Sequence, residues 1–245
     1  GILSGRHAFR LPATNGGTPW AMPLMLALYA LFFSHAYVNL STGTGALILF
    51  GAVQTTMITA GILAGERPGV VRILGMAAAL MGLCYLVFPG LSAPSPLGAF
   101  LMALAGIFWG IYSLLGKKVQ NPVTATAFNF IWAAPLALVP LLLSSGFTLP
   151  RTLDMNGFWA AILSGTLASG IGYVIWYAAI KGLSPVRAAS VQLTVPVIAS
   201  AGGIFFLGEP FSLRLFIAST IILSGVGLAL VPRKRKNITQ EHKKI

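Results

Sequence analysis

Acidic residues are nearly missing from this chain: it holds four among 245 residues, against sixteen Lys and Arg. Charged residues of both signs together reach 8%, where a soluble globular domain carries about 25%. That shortage excludes an ordinary water-exposed surface. Cysteine is down to one, Cys84, inside an apolar run, so an intrachain disulfide is excluded and Cys84 is read as packing. No acid occupies the centre of an apolar run, which disfavours antiport through a buried carboxylate. The spacing His-Glu-x-x-His does not occur, nor do paired aspartates, and three scattered histidines offer no acid-base set. The sequence therefore points to no enzyme, no metal and no cofactor.

What is abundant is apolar length. Hydrophobic residues make up 56% of the chain and the mean hydropathy is +0.85, the signature of an integral membrane protein. A helix crossing ~30 Å of hydrocarbon needs about 20 mostly apolar residues. Eight runs qualify: Trp20 to Tyr37, Gly43 to Ala64, Val71 to Pro89, Pro96 to Gly116, Val123 to Ser144, Phe158 to Ile180, Arg187 to Leu207 and Leu213 to Val231. The expected fold is all-α, a polytopic transmembrane bundle of these spans. Short joints such as Gln120-Asn121-Pro122 and Gly182-Leu183-Ser184-Pro185 make neighbouring helices antiparallel.

The formal charge of +12 is then a topology signal and not a footprint for nucleic acid. Alternate loops divide the sixteen basic residues fourteen to two, with Arg151 and Arg214 alone on the poorer side. The basic tail after Pro232 is thus expected in the cytoplasm, and the protein in a bacterial inner membrane.

The chain also repeats itself. Leu40-Ser41 opens an apolar stretch that closes on Gly65-Glu66, and Leu183-Ser184 opens one that closes on Gly208-Glu209. Leu40 to Leu183 and Glu66 to Glu209 are both 143 positions, and the same register matches Gly82 with Gly225 and Pro89 with Pro232. The charge count puts Glu66 and Glu209 on opposite faces, so the repeats are inverted, an arrangement that encloses a cavity near the bilayer midplane. The expected divisions are residues 1–95, 96–232 and a basic tail 233–245. The first repeat is expected to be incomplete at its N-terminus, with roughly two helices belonging ahead of Gly1.

The stretch Gly182 to Val231, with Leu183-Ser184-Pro185, mid-helix Pro196 and Leu207-Gly208-Glu209-Pro210, resembles the EamA repeat of the drug/metabolite transporter superfamily. Phe108-Trp109-Gly110 resembles the opening helix of such a repeat, and Leu40 to Pro89 its closing half. The resemblance covers nearly the whole chain. It implies ten helices in two inverted repeats of five, of which this sequence lacks the first two, and export of small metabolites including amino acids. Val53 stands where the second repeat has Pro196.

Candidate substrate residues are polar or aromatic groups in the spans, since polar atoms facing lipid are costly. In the sixth span Gly165, Ser169, Tyr173 and Tyr177 recur every fourth residue, with Trp176 alongside. Tyr173 and Trp176 are assigned to the cavity; an interfacial aromatic belt is the alternative. Trp109 lies too deep for a belt and is assigned to the cavity with Tyr112, the alternative being a core aromatic beside Gly106 and Gly110. Asn129 either meets substrate or bonds a neighbouring helix. Pro196 is expected to kink the seventh span as a hinge and free the Gln192 carbonyl, which places Gln192 and Thr194 at a substrate site or at a water-satisfied kink. Gln54 is their counterpart in the second span. His35 near a helix end is read as hydrogen-bonded, and Glu66 and Glu209 as structural acids that complement the start of the next helix.

The expected function is an alternating-access permease or exporter for small neutral, zwitterionic or amphipathic solutes, including amino acids. A non-transporting membrane subunit or an inactive truncated fragment is the alternative. The expected partners are a small-molecule substrate and the lipid bilayer, with a monomer or homodimer both compatible.

Overall fold

The computed structural model describes residues 20–88, 94–144, 155–208 and 210–231. Arg6, Arg10, Pro89, Arg151, Glu209, Pro232 and the basic tail lie outside the described residues. The elements are α1 (Ala21–Ala36), α2 (Thr42–Leu63), α3 (Val70–Val87), α4 (Pro96–Gly116), α5 (Pro122–Ser144), α6 (Met155–Leu163), a π-helical segment (Ser164–Ile171), α7 (Gly172–Ile180), α8 (Pro185–Gln192), α9 (Val195–Leu207) and α10 (Leu213–Leu230). Among the described residues six helical stretches are long and apolar enough to cross a membrane, and α1 and α5 are further apolar helices. The all-α polytopic reading stands, with six of the eight expected spans meeting that length among the described residues.

Turn chemistry places the helix ends. Ser95 and Ser212 accept the Gly98 and Leu215 amides at 3.1 Å, capping α4 and α10. Asn121 Oδ1 accepts the amides of Val123 and Thr124, with Pro122 opening α5. After α2 and after α9 the chain turns through left-handed glycines, Gly65 at φ 87° and Gly208 at φ 67°. These two glycines are equivalent in the 143-residue register, so both stretches end by the same backbone device.

Two compact units result, and they cut across the halves of the sequence. One gathers α1, α2, α4 to α7 and α8; the other gathers α3, α9 and α10. Within the first, α8, the repeat equivalent of the opening turns of α2, packs antiparallel to α2: Gly61 lies against Val186, Met57 against Gln192 and Gln54 against Ala189. Within the second, α10 has the bounds of α3 displaced by 143 at both ends, and the two again run antiparallel, Gly75 meeting Gly225 and Ala229 while Gly82 meets Ile222. Equivalent helices that run in opposite directions are what inversion requires.

Two spans are less regular than their sequence suggests. The seventh does not merely kink: α8 stops at Gln192 and α9 restarts at Val195, with Pro196 in the first turn of α9, where its missing N–H costs nothing. The sixth carries the π-helical segment between two α-helical parts, so a step of four residues no longer holds one face through Ser164–Ile171.

Candidate functional site

The first unit is organised around a column of aromatic rings. α4 presents Trp109 and Tyr112, three residues apart, and α7 presents Tyr173 and Tyr177, four apart, so each pair shares a helix face. Trp109 touches Tyr29 of α1 and Tyr173, both at 5.1 Å between ring centroids. Tyr112 touches Tyr173 at 5.9 Å and Tyr177 at 5.4 Å, and Phe130 of α5 closes on Tyr173 at 5.4 Å. Tyr177 fits because Gly116 opposite it lacks a Cβ, which would collide with the ring.

Polar side chains tie the column to its neighbours. The Trp109 indole N–H donates to Gln192 Oε1 at 2.6 Å, and Gln192 Nε2 reaches Met57 Sδ at 3.0 Å. Gln54 Nε2 donates to the Ala189 carbonyl at 2.7 Å. Trp176 Nε1 donates to Ser113 Oγ at 3.3 Å, and Asn129 Nδ2 to the Tyr112 hydroxyl at 3.2 Å. Each bond joins two helices, as expected where no water is available to satisfy a donor.

Beside the column lies a cavity of about 280 Å³, near the lower end of small-ligand pockets. Its walls include Tyr29, Phe33 and Ser34 of α1, Phe130 of α5, Ser169 and Tyr173. Alanines at 27, 30, 133, 134 and 137 hold α1 and α5 far enough from filling it. A second hollow of about 270 Å³ shares Ala30, Ser34, Ala134 and Ala137 with the first and reaches His35. His35 Nδ1 bonds the Leu31 carbonyl one turn back, at 2.8 Å. Among the described residues no carboxylate, Lys or Arg lines either space.

The predicted residues divide accordingly. Tyr173 lines the cavity, with Trp109 and Tyr112 packed behind it. Trp176 bonds α4, Gln192 and Gln54 sit along the α2–α8 seam, and Asn129 is fully buried against Tyr112. Thr194 is the residue before α9, and Pro196 belongs to the second unit. Of the every-fourth stripe, Ser169 and Tyr173 reach the cavity while Gly165 is exposed and Tyr177 is sealed. Tyr29, Phe33 and Ser34 were not singled out by sequence. The signal available was Tyr29 and Phe33, four apart on one helix face.

At the end of this unit beyond Tyr177, Glu66 accepts the Ser184 hydroxyl at 2.7 Å. It therefore serves the start of α8 and not the start of α3, the helix that follows it in sequence. Lys181 Nζ bonds the Gln120 carbonyl at 2.6 Å. Burial lowers the Lys117 ammonium from its ordinary range, against the opposing pull of the Glu66 charge.

Antiparallel equivalent helices within each unit, and a ring-walled cavity within the first whose described lining carries no charge, define a polytopic α-helical membrane protein of the inverted-repeat kind. Residues 96–231 match the EamA-like transporter family. A protein of Pseudomonas aeruginosa described as uncharacterized is 48% identical over 93% of this chain and 78% of its own length. A probable amino-acid metabolite efflux pump of Salmonella typhimurium is 24% identical, over 84% of this chain and 73% of that protein. A solved crystal structure shares the fold with a TM-score of 0.71 at 21% identity, covering 87% of this chain and 77% of the other. The chain belongs to the EamA-like transporter family.

Proposed function

We propose that the protein exports small organic metabolites, amino acids or amphipathic neutral and zwitterionic solutes, by alternating access across the bacterial cytoplasmic membrane. The observation that carries this is the cavity walled by Tyr29, Phe33, Phe130 and Tyr173, with the Ser34 and Ser169 hydroxyls and no fixed charge. Rings bind apolar surface and hydroxyls orient a polar head, while the missing charges disfavour polyanions. The family and the efflux-pump relative support the same direction. Flux of a panel of amino acids and amphipathic solutes through proteoliposomes holding the full-length protein tests it, and no flux for any of them would overturn it.

The basic residues put the Glu66 end of the first unit, with Lys117, Lys118 and Lys181, in the cytoplasm, and the His35 end outside. On that orientation the hollow reaching His35 faces outward, and the packed Tyr112 and Tyr177 rings lie on the cytoplasmic side of it. In a Cys84→Ala background on intact cells, a membrane-impermeant maleimide is expected to label Val38→Cys and not Lys118→Cys. Label on both would refute the assigned topology.

A further inference from the structure

We propose that Asn129, Tyr177 and Thr126 form an inner subsite for the ammonium group of the exported solute, and this rests on the exporter reading above. Among the described residues five buried side-chain oxygens have no hydrogen-bond partner, and three of them, Asn129 Oδ1, the Tyr177 hydroxyl and Thr126 Oγ1, lie on α5 and α7. Asn129 and Tyr177 are fully buried and Thr126 is 4% exposed. Buried polar atoms in a hydrocarbon setting are costly without a partner, so three on the adjoining helices α5 and α7 call for a role.

All three can accept a hydrogen bond, the two hydroxyls while also able to donate one. The Asn129 amide nitrogen is committed to the Tyr112 hydroxyl, which leaves Oδ1, an atom that can only accept. The Tyr177 hydroxyl lies within reach of both Tyr112 and Asn129. Thr126 stands one turn before Asn129 on the same face of α5. Tyr112, which Asn129 bonds, packs against Tyr173 and Tyr177, and aromatic π faces attract cations. No Lys, Arg, Asp or Glu occurs in α4, α5 or α7, so nothing there would hold a carboxylate or pre-empt an ammonium.

The position suits a relay from the cavity. Tyr173 forms part of the cavity wall and touches Tyr112, which in turn bonds Asn129. Parting of the Tyr173 and Tyr112 rings in the exchange between the two access states would bring the acceptors onto the solute path. The apolar part of the solute then stays among Tyr29, Phe33 and Phe130 while its ammonium engages Asn129.

Binding to the purified full-length protein in detergent tests this without requiring flux. The probes are 2-phenylethylamine, its N-acetyl derivative and 3-phenylpropionate, which share the ring and differ in the head. The wild type is expected to bind the amine at least tenfold tighter than either other probe. Asn129→Leu should abolish that preference, and Asn129→Asp should strengthen amine binding at least tenfold. Equal binding of the three probes, no binding of any, or an amine preference that survives Asn129→Leu would overturn the subsite; the last would leave the three oxygens to internal water. Where Asn129→Leu does not fold, absence of gain in Asn129→Asp overturns it. Amine preference without proteoliposome flux would sink the export reading alone, and flux of a panel solute without amine preference would sink the subsite alone.

Discussion

Trp109→Ala is expected to reduce flux in proteoliposomes more than tenfold while protein still reaches the membrane. The indole touches Tyr29, Tyr112 and Tyr173 and donates its N–H to Gln192, so one side chain joins α1, α4, α7 and α8. Truncation removes the ring behind the cavity wall and leaves Gln192 Oε1 without its donor. Large aromatic truncations in packed interiors cost about 3–5 kcal/mol, part of which is the space left behind. Tyr29 and Tyr173 are free to collapse into that space, which reshapes the cavity they line. Trp109→Phe separates the two contributions. It keeps a ring but loses the N–H, and an unpaired buried acceptor costs about 1–3 kcal/mol, so an intermediate flux is expected. Transport rates normalised to protein from size-exclusion profiles decide the matter. Wild-type flux in Trp109→Ala would remove the indole from the working part of the cavity.

Gly225→Leu is expected to abolish stable accumulation, or to drop the melting temperature in detergent far more than any lipid-facing change. A Cβ at position 225 would lie 2.5 Å from the Gly75 carbonyl oxygen and 2.7 Å from the Ala79 nitrogen. Both are backbone atoms, so relief requires α3 and α10 to separate. In lipid, helices associate through close packing at small residues, because lipid tails are as apolar as side chains and supply no hydrophobic drive. Overpacking a tight contact costs about 1–3 kcal/mol even when side chains can yield, and here they cannot. Gly227→Leu is the control: it lies on the same helix, is exposed and has nothing within 4 Å of its would-be Cβ. Equal melting temperatures for the two variants would show that the seam does not hold α3 to α10.

Much of the scaffold was legible because membrane physics writes itself in one dimension. Span length, turn residues and the split of basic residues follow from local sequence, and the 143-residue register was visible in Leu40-Ser41 and Leu183-Ser184 before any contact was known. Gly65 and Gly208 carried their conformation in their identity, since only glycine adopts positive φ freely. Trp109 and Tyr173 could be nominated for the same reason, as deep aromatics on helices expected to face inward.

Partner choice was not legible, because it joins residues distant in the chain. Nothing in the sequence says that Glu66 finds Ser184 rather than the helix after it, that Asn129 spends its amide nitrogen on Tyr112, or that Gln192 and Trp109 meet across 83 positions. Nor does local pattern reveal that Ser164–Ile171 winds as a π-helix or that the seventh span breaks at Leu193 and Thr194, since both depend on what surrounds the backbone. The amino-acid sequence by itself determined that this chain is built of membrane-spanning helices and that its like stretches run in opposite senses. The tertiary structure alone decided which rings wall the cavity and which oxygens stay without a partner, because hydrogen-bond pairing and void space are properties of neighbouring helices and not of any one of them.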